Sequence, residues 1–228
     1  VRGVDDASAD GNTTNTVTVS INTANTLDSV YDLVPSQNHS VINNDNDVAG
    51  ITVDPMYGTI VEETGTTATY TVVLNSQPSG NVLIDTASSD TGELTVSPPQ
   101  LTFTTSNWNT PQTATVTGID DNIDDGTVNA NVTNTPNAGS ADVTYRSVGA
   151  ATVVASTRDN DTAGITIALT GGGNSVTEPN TTDTFTMVLD SEPTGNVVIN
   201  VTSSDTSEAT VSPSSATFTA GNWNTPQT

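Results

Sequence analysis

The chain has no cysteine and no lysine, a single histidine, and only three arginines, Arg2, Arg146 and Arg158. Without cysteine there is no disulfide, no thiolate nucleophile and no Cys-ligated zinc. Without lysine, and with so few arginines, no surface neutralises a phosphate backbone or an anionic bilayer, so nucleic acid and acidic membranes are poor partners. Aromatic residues make up 4% of the chain and hydrophobic residues 32%, a lean supply for a core. No apolar run approaches the roughly 18 residues of a membrane-crossing helix. No window shows the apolar spacing of three and four that marks an amphipathic helix. The start, "VRGVDDASAD", is neither a signal peptide nor an initiator sequence. The chain is therefore read as an excerpt of a longer secreted or surface-tethered protein.

Acid is what the chain has in quantity. Asp and Glu number 26, for a net charge of −23, which favours cations as partners. A cysteine-free extracellular domain needs another staple, and a metal is the usual substitute. Thr, Ser, Asn and Asp fill much of the remainder, a composition compatible with disorder. Pattern argues otherwise. Stretches such as "TATYTVVL" and "TFTMVLD" alternate apolar residues with Thr, and β-branched residues dominate them. The reading is all-β.

The heptapeptide "NWNTPQT" stands at 107–113 and again at 222–228. "AGITV" (49–53) matches "AGITI" (163–167), "GVDD" (3–6) matches "GIDD" (118–121), and "DNDVAG" (45–50) matches "DNDTAG" (159–164). Offsets of 114 or 115 positions run through all these pairs, the signature of a tandem array. Residues 1–48 are then the C-terminal strands of a preceding repeat, 49–162 a complete repeat, and 163–228 the N-terminal strands of a following one. A repeat of about 115 residues is the size of one sandwich domain.

In the complete copy strands are expected near 50–54, 66–75, 81–87, 93–97, 100–105, 112–119, 127–134 and 149–156. Turn residues such as "NSQPSGN", "SSDTG" and "DDNIDDG" separate them. The expected fold is a tandem Ig-like antiparallel β-sandwich with almost no helix. Ala68, Tyr70, Val72 and Leu74 face its core, as do Val82, Ile84, Leu101 and Phe103. Phe185, Met187 and Leu189 take that part in the next copy.

The acids recur at strand ends: Glu62 and Glu63, Asp90, Asp120 and Asp121, Asp124 and Asp125, then Asp159 and Asp161. Two carboxylates about 4–5 Å apart repel by roughly 3–4 kcal/mol at an effective dielectric near 20. Several converging on one pole need a counterion, and calcium tolerates the irregular oxygen geometry of loops better than magnesium. The opposing reading is a solvated acidic surface. An EF-hand is excluded, since "DNDVAGITVDPM" puts Ala49 and Met56 where oxygen ligands belong.

The stretch "VEETGTTATYTVVLNSQPSGNVLIDTASSDTGELTVSPPQLTFTTSNWNTPQTATVTGIDD", followed by "DND" at the junction, resembles Calx-β domains. These are Ig-like sandwiches named after regulatory calcium-binding domains of sodium/calcium exchangers, and they also form long arrays in bacterial adhesin-like proteins. The resemblance implies calcium ligands at Glu63, Asp90, Asp120, Asp121, Asp159 and Asp161, at the pole facing the next repeat. It implies partial sets in the other copies, with Asp5, Asp6, Asp45 and Asp47 in the first and Glu178 and Asp205 in the third. Asp124 and Asp125 stand near where the exchanger pattern carries a Glu pair. The implied role is mechanical: calcium at the seams stiffens a surface fibre or giant adhesin whose partners are neighbouring repeats.

Three other readings compete with this one. Catalysis is not expected, because the only histidine, His39, has no counterpart in the complete copy. Trp108 and Trp223 could stack on sugars in a carbohydrate-binding adhesion module, though one Trp per sandwich fits packing better. A self-assembling filament subunit, joined head to tail by strand complementation, is the third. The Asn-x-Ser/Thr sequons are ascribed to the Asn- and Thr-rich composition.

Overall fold

The computed structural model describes residues 1–171, 175–179 and 181–228. Its strands, in chain order, are β1 (Thr13–Val19), β2 (Gln37–Asn43), β3 (Ile51–Asp54), β4 (Thr59–Glu62), β5 (Thr67–Leu74), β6 (Val82–Ser88), β7 (Leu94–Ser97), β8 (Gln100–Phe103), β9 (Gln112–Gly118), β10 (Val128–Pro136), β11 (Ala151–Arg158), β12 (Ile165–Thr170), β13 (Thr184–Leu189), β14 (Val197–Asn200) and β15 (Ser215–Phe218). Among the described residues the helical content is two three-residue 3₁₀ turns, Tyr31–Leu33 and Tyr145–Ser147. The chain is all-β, as its alternating Thr and apolar residues require.

Strands β3 to β11 build two facing sheets, β3-β5-β9-β7 and β4-β11-β10-β6-β8. Every pairing is antiparallel except β4 with β11, which runs parallel at one edge and aligns Glu62 with Arg158. Strands β3 and β4 are neighbours in sequence but lie in opposite sheets, and the crossing uses Gly58 at φ 83°. Periodicity does not reveal β4. It is four residues long, and its partner β11 lies almost a whole repeat away, beyond the reach of any local pattern.

Pleating places Tyr70, Val72 and Leu74 of β5 in the core with Val82, Ile84, Leu101 and Phe103, while Ala68 packs at its margin. Trp108, in the β8–β9 turn, packs against this core, and its carbonyl accepts a hydrogen bond from Leu74 N at 3.1 Å. Two buried polar contacts tie the sheets together. The Tyr70 hydroxyl donates to Asn134 Oδ1 at 3.0 Å, and Asn134 Nδ2 donates to the Ala151 carbonyl at 3.2 Å. The Tyr145 hydroxyl accepts from Ser76 N at 3.0 Å and donates to the Ser76 carbonyl at 2.7 Å.

The flanking segments are two-stranded pieces. Strands β1 and β2 pair Thr13 with Asn43, the register in which β10 and β11 pair Val128 with Thr157. Strands β12–β13 and β14–β15 form two ribbons around a small core of Met187, Leu189, Ala216 and Phe218.

The Tyr70–Asn134 pair generates a prediction. Asn134→Val leaves a buried hydroxyl without its acceptor and costs about 1–3 kcal/mol. Adding Tyr70→Phe removes the orphaned group and recovers most of that loss. Urea unfolding of the single and double variants checks both, and a double variant no more stable than the single one would refute the coupling.

Candidate metal centre

One pole of the central sandwich collects acids because four chain passages end there. Strand β4 runs into Glu63, whose amide continues the parallel ladder by donating to the Arg158 carbonyl at 3.1 Å. Glu93 stands one residue before β7, and its carbonyl accepts from Ile119 N at 2.8 Å and from the buried Thr157 hydroxyl at 3.3 Å. Strand β9 ends at Gly118, where a side chain would strike the Glu62 carbonyl, so the two strand ends meet backbone to backbone. The loop that follows carries Asp120, Asp121, Asp124 and Asp125. Strand β11 delivers Asp159 and Asp161.

Local hydrogen bonds fix the loops. Asp159 accepts from Asp161 N through Oδ1 and from Gly126 N through Oδ2, each at 2.7 Å. Gly126 adopts φ 77°, a conformation that disfavours side chains, which lets its amide reach this carboxylate. Asp121 Oδ1 accepts from Ile123 N at 2.7 Å, and Asp124 Oδ2 from Ala163 N at 2.7 Å.

Carboxylate oxygens of Glu63, Glu93 and Asp121 lie within 4.8 Å of one another, as do those of Glu63, Asp159 and Asp161. Glu63 belongs to both groups and is 1% exposed; Glu93 is 7% exposed. Glu63 Oε2 accepts one amide, Asn160 N at 3.3 Å. Glu93 Oε2 is buried without any hydrogen-bond partner. Among the described residues the one ion pair joins Arg158 to Glu62 at 3.4 Å, so no basic side chain pairs with the cluster. A buried carboxylate oxygen with no partner is costly unless a cation answers it. The donor set is oxygen only, which suits a hard divalent ion. These residues fit such an ion.

The electrostatics agree. Burial pushes the Glu93 carboxyl up to about 7, and the charges of Asp125, Glu63, Asp121 and Asp90 add to it. Burial also raises Glu63, aided by Asp159, Asp121 and Asp125, against the lowering influence of the Asn160 amide. Asp125 and Asp161 rise for the same two reasons. Asp159 is held below the usual carboxylate range by the Gly126 and Asp161 amides.

Of the residues named from sequence, Glu63, Asp121, Asp159 and Asp161 come together here. Asp120 is exposed and accepts from Asn160 Nδ2 at 2.9 Å. Asp90 lies outside both groups and accepts from Gly92 N at 3.1 Å. In the first segment Asp5, Asp6, Asp45 and Asp47 line a recess with Asp10. Asp45 there repeats the geometry of Asp159, accepting from Gly11 N at 2.6 Å and Asp47 N at 2.8 Å. In the third segment Glu178 is exposed, and Asp205 is exposed and turned to the Ser207 hydroxyl and amide. Sequence reading missed Glu93. Its recurrence as Glu208, 115 positions on, was the available signal.

The same pole faces the following segment. Glu192 N donates to the Asn122 carbonyl at 2.6 Å, and Gln77 N donates to the Ala7 carbonyl at 2.6 Å one repeat earlier. The seam contact is periodic, like the sequence.

No protein-family model matches the chain, and no curated protein matches it. Solved structures similar to parts of it include the apo-form Calx CBD1 domain, at 15% identity and TM-score 0.37 over 50% of this chain and 98% of that one. Domains 1–6 of the surface layer protein SbsC match at 17% identity and TM-score 0.38, over 78% of this chain and 26% of that one. The Escherichia coli chaperone DraB matches at 13% identity and TM-score 0.35, over 65% of this chain and 87% of that one. Likeness at this level transfers no family and no activity.

A pH dependence follows from Glu93. Its folded-state carboxyl sits above its ordinary value, so the native state holds more protons than the unfolded state between about 4.5 and 7. The associated stability is fully present below about pH 4.5 and is lost as pH rises through about 7. In chelator, the urea midpoint should therefore be higher near pH 5 than near pH 8. A midpoint that rises across this window would contradict the burial of Glu93.

Proposed function

We propose that the chain is a structural segment of an extracellular surface fibre or giant adhesin, in which calcium at the seams makes successive sandwiches rigid. The observation that carries this reading is Glu93 Oε2, a buried carboxylate oxygen without a partner, grouped with Glu63 and Asp121. Calcium, when bound, supplies the positive charge that these acids lack.

The residues divide the work. Glu63 and Glu93 give a buried floor, anchored on β4 and beside β7. Asp121 closes over it from the β9–β10 loop, and Asp159 and Asp161 from the turn that leads into the next segment. Since Glu63 belongs to both acidic groups, it can serve two adjacent cation positions. Holding Asp121 in place also holds Asn122 and Asp124 of the same loop, which accept from Glu192 N and Ala163 N of the following segment. Ligation is thereby coupled to the angle between repeats. Elongated scaffolds need such stiffening, and no disulfide is available to provide it.

Extracellular calcium modules bind at about 10⁻⁴–10⁻³ M. At a hundredfold excess one site adds about 2.7 kcal/mol, a shift of several degrees in the melting temperature of a repeat this size. Glu93→Gln supplies the sharpest contrast. It removes a buried charge, so the chelated variant should melt above chelated wild type near neutral pH. It also removes a ligand, so the calcium-induced rise should largely vanish. Thermal melts of both proteins in calcium, magnesium and chelator test this. A Glu93→Gln variant that keeps the wild-type calcium response would sink the reading.

A further inference from the structure

We infer that the two seams of the chain are unequal joints: Gln77 clasps the one before the central sandwich, and the one after it is a hinge that charge holds loose. The inference rests on the reading of successive sandwiches as a calcium-stiffened fibre, and it says where that fibre yields.

Both seams share a backbone plan. Gln77 N donates to the Ala7 carbonyl and Glu192 N to the Asn122 carbonyl, each at 2.6 Å. Asn75 N donates to the Gly50 carbonyl and Asp190 N to the Gly164 carbonyl, each at 3.0 Å. The Thr52 hydroxyl donates to Asn75 Oδ1 and the Thr166 hydroxyl to Asp190 Oδ1, each at 2.7 Å.

Behind each seam stands the repeated "NWNTPQT" turn. Asn107 Oδ1 accepts from Thr104 N and Asn222 Oδ1 from Thr219 N, each at 2.6 Å. The Trp108 carbonyl accepts from Leu74 N at 3.1 Å and the Trp223 carbonyl from Leu189 N at 3.0 Å. Both Trp side chains pack against the core of their own repeat, so the turn anchors the seam-facing end of each sandwich.

The side chains break this symmetry. Gln77 Nε2 donates to the Thr105 carbonyl at 2.7 Å, so one residue grips the preceding segment through its backbone and the Trp108 turn through its amide. Its counterpart Glu192 carries a carboxylate, which accepts hydrogen bonds and cannot donate to the corresponding Ala220 carbonyl. The clasp is lost at the second seam.

Charge changes with it. Ala9, Asn75 and Gln77 at the first seam correspond to Asp124, Asp190 and Glu192 at the second. Asp124 belongs to the central sandwich and the other two to the following segment, and Asp124 and Glu192 line one recess between them. Among the described residues the one ion pair joins Arg158 to Glu62, so no basic side chain neutralises these three. Like charges on opposite sides of a joint oppose its closure, by an amount that salt screens. Three neutral-to-acid changes fall at one joint while its backbone contacts stay the same. Such a joint lets a stalk bend at a set place with its sandwiches intact.

The test uses the 228-residue chain, whose lack of cysteine lets spin labels go to chosen positions. Thr16→Cys with Asn131→Cys spans the first seam and Thr102→Cys with Thr217→Cys the second, all four at exposed positions. Pulsed dipolar EPR in chelator reads the spread of distances across each. At about 0.01 M salt the second distribution should be about twofold wider than the first, and it should narrow at about 1 M, where the screening length falls to about 3 Å. Asp124→Ala, Asp190→Asn and Glu192→Gln together should narrow the second seam at low salt. Asn75→Asp with Gln77→Glu should broaden the first. Equal spreads at low salt, or a triple variant as broad as its parent, would overturn the hinge. Adding calcium reports on the fibre reading separately. Narrowing at both seams upholds the stiffening, whereas a second seam that narrows with salt but not with calcium upholds the hinge and overturns the stiffening.

Discussion

Everything at the seam follows from negative charge held where water does not reach it. Glu63 and Glu93 are buried by the backbone that surrounds them, β4 running parallel to β11 and the start of β7 resting on the β9 exit. The one ion pair among the described residues is Arg158 with Glu62, beside the cluster rather than inside it. A cysteine-free, lysine-free chain has few ways to answer that charge. Protonation is one, and the raised Glu93 carboxyl shows how close to neutrality it lies. A divalent cation, as proposed above, is the other, and it would also order the β9–β10 loop and the turn that leads to the next repeat.

Much of this was legible in the sequence because the information was local or periodic. Tyr70, Val72 and Leu74 alternate with Thr, so their shared face follows from the pleat alone. Asp159 and Asp161 recur as Asp45 and Asp47, and both pairs fold into the same turn, one carboxylate accepting two amides. What escaped was non-local. Strand β4 has too few residues to show a period and owes its place to β11. Glu93 looks like an ordinary polar strand start in "TGELTV"; only the tertiary approach of β9 and Thr157 buries it. Asp90 and Asp120 carry the motif's spacing, and Oδ1 of each accepts a hydrogen bond, from Gly92 N and from Asn160 Nδ2.

Repetition adds a second kind of information, since one complete and two partial copies of one unit act as internal controls. The Tyr145 and Tyr31 pair shows one side chain with and without its cover. The Gln77–Ala7 and Glu192–Asn122 contacts show one seam built twice, each at 2.6 Å.

The central claim is that a cation completes the pole formed by Glu63, Glu93 and Asp121. Its most direct test is an anomalous difference map from crystals of the chain grown in calcium. The account predicts a peak within bonding distance of oxygens from all three carboxylates, with Glu93 Oε2 among them. Well-ordered carboxylates around a site without such a peak, under saturating calcium, would contradict it.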